Sequence, residues 1–196
     1  PQEQVRRVVK YAINQGVRRF AVLAPDNEYG LTIAGALKQI TDENGIKMIE
    51  QAFYDPQTTD LHPVIKSLAN YDERRQILLD ERRLLAERND EVAKLALRRL
   101  KNLQTMGDVS FEALLIADGG KTLQSIAALL PYYDIDPKKI RMLGTGHWDI
   151  AGIGSEPALV GGWFAAPSPE GRREFMDQYE LIYGDPPPRL ATLAYD

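Results

Sequence analysis

The sequence predicts an α/β protein with a mainly parallel five-stranded sheet and helices on both faces. Short apolar runs have the length and composition of buried strands. Stretches with apolar residues at every third or fourth position separate these runs and predict helices. Regular alternation of strand and helix is typical of a parallel sheet, because parallel neighbours need a crossover connection. The predicted strands are residues 20–24, 46–53, 111–117, 140–143 and 158–164.

The helices can be assigned in chain order from their apolar stripes. The first runs from Val5 to Ile13 and ends at Gly16, a residue suited to a helix C-cap. The second follows the first strand and ends at Gly45. Ser168 is expected to cap the last helix, and a stiff proline linker follows that helix. The apolar stripes of the remaining helices lie at 31–40, 64–68, 123–130 and 175–182, and the proline linker is residues 186–188.

The densely charged segment 71–107 interrupts this alternation and predicts a helical insertion. Acidic and basic residues three or four positions apart support helix formation. We expect either a helical hairpin, with a break at Asn89 and Asp90 as N-cap of the second helix, or one long bent helix. Leu78, Leu85 and Val92 lie seven residues apart and predict a narrow apolar seam. The segment is either a solvated arm packed on its own domain or a docking surface.

Composition excludes several classes of function. The chain has 196 residues and a net charge of −4, so no basic surface indicates nucleic-acid binding. It contains no run of apolar residues long enough for a membrane span. Cysteine is absent, which excludes disulfides, thiolate metal sites and cysteine nucleophiles. Neither a metal nor another cofactor is expected, because His62 and His147 lack metal-ligand spacing and the loop 144–146 lacks a third glycine.

The first strand and its helix predict where a site lies. In parallel sheets, ligands bind at the carboxyl ends of the strands. Asp26, Asn27 and Tyr29 directly follow the strand that ends at Ala24. Tyr29 either contacts a ligand or only covers the edge of the sheet.

The loops after the third, fourth and fifth strands should emerge at the same edge of the sheet. We expect Trp148, in the loop after the fourth strand, to line a cleft, and Trp163, inside a strand, to lie in the core. The candidate site residues from these loops are Asp118, Gly119, Thr145, His147 and Trp148, and residues 165–168 follow the fifth strand.

Two carboxylates at this edge leave an enzymatic reading open. Asp26 and Asp118 both follow strands, so they could form a catalytic pair. Alternatively, each caps the turn or helix that follows it. No nucleophile turn of the Gly-x-Ser-x-Gly type occurs, and we expect no catalytic residues.

Three motifs together resemble the second lobe of type I periplasmic binding proteins, the Leu/Ile/Val receptor family. They are Asp-x-x-Tyr-Gly at Asp26–Gly30, Asp-Gly at Asp118–Gly119, and Leu-Gly-Thr-Gly-His-Trp at Leu143–Trp148. The resemblance implies that Tyr29 faces a cleft between two lobes and contacts a small polar ligand. It also implies that residues 1–196 are a single lobe of a longer protein whose first lobe precedes Pro1.

Two departures from the receptors point to a subgroup. The loop after the fourth strand has no acidic residue before Asp149, and the 71–107 insertion is foreign to ordinary transport receptors. The insertion, with motifs at Leu159–Pro167 and Pro188–Asp196, is similar to penicillin-binding protein activators. This resemblance implies a non-catalytic periplasmic module, anchored to the outer membrane through an N-terminal lipid, whose partner is a penicillin-binding protein and whose ligand is a cell-wall fragment. The alternative is an amino acid receptor that partners an ABC permease.

Overall fold

A five-stranded parallel sheet forms the centre of the computed structural model, which describes residues 1–88, 90–150, 152–166, 169–185 and 187. The strand order is β2-β1-β3-β4-β5, and each neighbouring pair is parallel. The predicted fold class is therefore confirmed. The strands are β1 (Arg19–Pro25), β2 (Lys47–Tyr54), β3 (Ala113–Ile116), β4 (Arg141–Gly144) and β5 (Trp163–Phe164).

Helices cover both faces of the sheet because successive strand residues point to opposite sides. Phe20 and Val22 of β1 pack against α1 and α2, whereas Ala21 and Leu23 pack against α3 and α6. This alternation gives two apolar cores, one on each face. The helices are α1 (Gln2–Asn14), α2 (Glu28–Glu43), α3 (His62–Leu68), α4 (Tyr71–Arg88), α5 (Glu91–Leu100), α6 (Gly120–Leu129) and α7 (Pro169–Tyr183). Within the described ranges, none of these helices is both long and apolar enough to cross a bilayer.

Between α3 and β3, the predicted insertion forms a hairpin of α4 and α5. Asp90 is the N-cap of α5, as predicted, and its carboxylate accepts the Ala93 N–H at 2.8 Å. Asn89, the other residue of the predicted break, lies outside the described residues. Leu78 and Leu85 are buried in the hairpin, but Val92 is 70% exposed, so its predicted place in the seam is wrong. The cap at Asp90 starts a new helical register, and Ala93 faces inward instead.

The fifth strand is much shorter than predicted. Residues 158–162 form turns, in which the N–H of Gly162 donates to the C=O of Leu159 at 2.9 Å. Gly161 has a φ of +76°, a left-handed conformation that breaks an extended strand. Only Trp163 and Phe164 pair with β4. The expected cap at Ser168 and the proline linker at 186–188 fall wholly or largely outside the described residues.

Candidate functional site

The turn after β1 holds the first group of predicted site residues. Asn27 is the N-cap of α2, and its side-chain oxygen accepts the Gly30 N–H at 2.9 Å. Asp26 is exposed, and its N–H donates to the C=O of Tyr54 at 2.7 Å. Tyr29 consequently lies in the first turn of α2. Asn27 therefore has a structural role whether or not it contacts a ligand.

Tyr29 connects this turn to the loop after β4. Its hydroxyl lies 2.8 Å from the Thr145 hydroxyl, and Thr145 is fully buried. The ring of Tyr29 stacks on the exposed His147 imidazole, with 4.7 Å between centroids and an interplanar angle of 26°. Three of the predicted site residues therefore meet at the carboxyl-terminal edge of the sheet, which we call the rim.

Asp118 is held in place by a residue that the sequence reasoning missed. The hydroxyl of Tyr54, the last residue of β2, donates a short hydrogen bond to Asp118. The other carboxylate oxygen accepts the Gly119 N–H at 2.6 Å. Because β1 lies between β2 and β3, this bond crosses the end of the central strand. Tyr54 directly follows the predicted strand 46–53, and its polar hydroxyl at a strand end was itself a usable signal.

The three loops of the rim pack closely against one another. A Cβ atom on Gly119 would lie 2.6 Å from the carbonyl oxygen of His147, so the loop after β3 needs glycine there. Gln4 of α1 was also missed, and its side-chain oxygen accepts the Gly146 N–H at 3.1 Å. Helix α1 thus helps to fix the loop that carries Thr145 and His147.

Burial changes the acidity of the two rim phenols. Burial is the largest cause that raises the pKa of Tyr29; the charge of Asp118 adds to it, and the hydrogen bond with Thr145 opposes it. Burial also comes first among the causes that raise the pKa of Tyr54, followed by its hydrogen bond to Asp118. Both phenols therefore keep their protons at physiological pH and can donate hydrogen bonds.

The predictions for the two tryptophans need correction. Trp148 is 2% exposed, and its indole N–H donates to the C=O of Ile116 at 3.3 Å, so the prediction that its ring faces a cleft is wrong. Trp163 is only partly buried and lines a cavity of about 570 Å³ beside β5. The ring of Trp148 lies against Gly144, where a Cβ atom would be 2.2 Å from the indole. Because Gly144 has no side chain, it leaves the space in the core that the indole of Trp148 occupies.

The loop after β5 is described only in part. In the loop after β5, Ala166 accepts a long hydrogen bond of 3.5 Å from Arg7, and Pro167 and Ser168 lie outside the described residues. Within the described ranges, no cluster of three or more histidine, cysteine or acidic residues could hold a metal ion.

Comparison with known proteins establishes the family. The profile of the family described as "Periplasmic binding protein" matches residues 1–196. The chain belongs to the periplasmic binding protein family. No curated protein matches the chain. In this family context, the rim at the carboxyl ends of the strands is the candidate ligand-binding surface.

Solved structures support the fold of this periplasmic binding protein chain. A leucine-binding protein from Thermotoga maritima is 14% identical, and the match covers 100% of this chain and 47% of that one, with a TM-score of 0.57. A putative branched-chain amino acid ABC transporter from Rhodospirillum rubrum is 14% identical over 95% and 44%, with a TM-score of 0.56. An amino acid ABC transporter substrate-binding protein from Pseudomonas fluorescens is 15% identical over 94% and 41%, with a TM-score of 0.53. The chain spans less than half the length of each.

Proposed function

We propose that residues 1–196 form one lobe of a solute-binding protein and that the rim is half of a ligand site. The single observation that carries this proposal is the meeting of Tyr29, Tyr54, Asp118 and Thr145, which come from four different segments, at the carboxyl ends of the strands. The solved relatives are more than twice as long as the matched region, so a second lobe facing the rim would complete the site.

The chemistry of the rim suits a small polar ligand such as an amino acid. Asp118 can accept an ammonium group, because two hydrogen bonds leave part of its acceptor capacity free. The hydroxyl of Tyr29 can donate to or accept from a polar ligand, and the fully buried Thr145 hydroxyl holds the Tyr29 hydroxyl in place. The solved relatives named above include a leucine-binding protein and an amino acid ABC transporter substrate-binding protein. We infer binding without catalysis, in the periplasm, with delivery of the ligand to an ABC permease.

Replacing Tyr29 with phenylalanine tests this function. We expect the affinity of the complete two-lobe protein for its ligand to fall by about tenfold, because one hydrogen-bonding hydroxyl is lost from the site. The ligand is first found by a thermal-shift screen against amino acids and cell-wall fragments, and its affinity is then measured by calorimetry. Tyr132→Phe is the matched control, since Tyr132 is exposed and belongs to the 131–133 turn after α6. Equal affinities of the two variants, or no shift with any compound, would contradict the proposal.

The hairpin supports a second candidate, an envelope protein that stimulates a penicillin-binding protein. Leu84 and Leu95 are about half exposed on this arm, and Val92 is more so, which leaves apolar surface for a partner. An N-terminal lipid anchor in the outer membrane and a cell-wall fragment as ligand belong to this candidate.

Removing the hairpin discriminates between the two candidates. The Met106 N–H donates to the C=O of Arg74 at 3.0 Å, so a short glycine-serine linker can replace residues 75–105. A solute receptor is expected to keep its ligand affinity after this deletion. An activator is expected to lose stimulation of peptidoglycan synthesis, and Leu84→Glu should reproduce the loss while leaving the hairpin in place. Absence of stimulation by the unchanged protein excludes the activator candidate, and stimulation that survives both changes excludes the hairpin as the docking surface.

A further inference from the structure

A cavity of about 340 Å³ lies where the base of the hairpin meets the rest of the domain. The segment that leaves α5 forms one side, and the segment between α6 and β4 forms the other. The cavity lies near the amino-terminal ends of β3 and β4, beside the hairpin. The rim lies at the carboxyl-terminal ends of the strands, so the two sites are separate. The charged and polar groups that line it are Arg74, Asn102, Gln104, Thr105, Asp108, Asp134, Asp136 and Lys139.

The cavity contains a buried arginine that is not fully satisfied. Arg74 is 8% exposed, and its Nη atoms donate to Thr105 Oγ1 at 2.8 Å and to the carbonyls of Gly107 at 2.7 Å and Ala69 at 3.2 Å. Its Nε has no hydrogen-bond partner in the described part of the chain. A guanidinium group has five N–H donors and no acceptor. Because Nε has almost no accessible surface, an anionic group in the cavity can approach Arg74 only at its Nη atoms, of which Nη1 makes a single hydrogen bond.

On its other side, the cavity carries more carboxylate charge than its cations balance. Lys139 is paired with Asp108 at 2.6 Å, which leaves Asp134 and Asp136 against the single charge of Arg74. Asp134 accepts the Thr105 hydroxyl at 2.6 Å and has a φ of +58°. This left-handed conformation is that of the C-cap of the 131–133 turn, which aspartate and asparagine adopt more readily than other non-glycine residues. The cavity thus presents both a cationic donor and anionic acceptors.

We propose that this cavity binds a small zwitterion, with its carboxylate at Arg74 and its ammonium group at Asp134 and Asp136. A purely anionic ligand meets two carboxylates, and a purely cationic ligand leaves the guanidinium unsatisfied. A molecule that carries both charges satisfies both sides. Because Arg74 lies in the first turn of α4 and Thr105 follows α5, the bound zwitterion also ties the base of the hairpin to the segment that contains Asp134. This site is separate from the rim and does not depend on the proposed function.

Site-resolved NMR of the full chain tests the proposal. A pool of the twenty amino acids is the probe, and the analogues of the responding amino acid that lack either the amino or the carboxylate group are the controls. We expect the backbone amide signals of residues 102–108 and 134–139 to shift with an amino acid and not with either analogue. Shifts confined to the rim residues, no shift at all, or equal shifts with a singly charged analogue would each overturn the proposal.

Asp134→Asn is the decisive variant because asparagine also adopts the left-handed conformation and can still accept the Thr105 hydroxyl. It removes the charge without removing the local fold, and we expect affinity at the cavity to fall by at least about tenfold. Asp42→Asn is the matched control, since Asp42 is exposed on α2 and pairs with Lys38. Equal affinity of these two variants would overturn the assignment of the ammonium group to Asp134. Asp136→Asn removes the other carboxylate proposed to hold the ammonium group, and it is likewise expected to lower affinity at the cavity.

Discussion

Replacing Gly30 with alanine is expected to destabilise the protein by about 3 kcal/mol or more. A Cβ atom at this position would lie 1.9 Å from the carbonyl oxygen of Pro25 and 3.0 Å from its carbonyl carbon. Both are backbone atoms at the end of β1, so no side-chain rotation relieves the overlap. The first turn of α2 would have to move away from the strand, and Tyr29 would move with it. Denaturant unfolding measures the loss of stability, and ligand affinity reports the displacement of Tyr29.

Gly35→Ala is the matched control because Gly35 lies in the same helix with nothing within 4 Å of an added Cβ atom. Alanine has a higher helix propensity than glycine, so this change is expected to stabilise the protein by about 0.5–1 kcal/mol. If the two alanine variants unfold at the same denaturant concentration, the close contact with Pro25 does not exist. The contrast also explains why glycine follows tyrosine in the Asp-x-x-Tyr-Gly pattern.

The alternation of strands and helices could be predicted because it depends on local patterns. Each of the first four strands is a short apolar run with turn residues beside it, and the structure contains a strand within or beside each run. The fifth run, 158–164, is equally apolar, but Gly161 and Gly162 turn the chain before Trp163. Apolar composition alone does not distinguish a strand from a turn that buries only some of its residues: Ala158 and Leu159 are buried, whereas Val160 is 61% exposed.

The rim could be predicted only in part because local sequence patterns do not determine the order of the strands in the sheet. The rule that parallel strands end at one edge was enough to select Tyr29, Asp118 and Thr145. It could not show that β2 lies beside β1, from where Tyr54 reaches Asp118 across the end of β1. The hydrogen bond from Gly146 to Gln4 joins residues 142 positions apart, so it too depends on tertiary packing.

The two tryptophans show how one glycine can reverse an expectation based on element type. A loop tryptophan was expected at a surface and a strand tryptophan in the core. Instead, Gly144 leaves room over β4, and the indole of Trp148 fills that room and satisfies its N–H within the core. Trp163 belongs to a two-residue edge strand, so one side of its ring stays open while Arg141 lies over it at 4.5 Å from the centroid.

Trp148→Ala is therefore expected to destabilise the protein by about 3–5 kcal/mol, the usual cost of removing a buried aromatic side chain. Trp163→Ala is the matched control and should cost less than half as much, because its partly exposed ring gains less from burial. Denaturant unfolding followed by circular dichroism measures both changes without relying on either indole. The earlier expectation predicts the reverse order: if Trp148 lined a cleft, its loss would weaken ligand binding and leave stability nearly unchanged. A larger loss of stability in Trp163→Ala would contradict the core position of Trp148 and reopen it as a ligand contact.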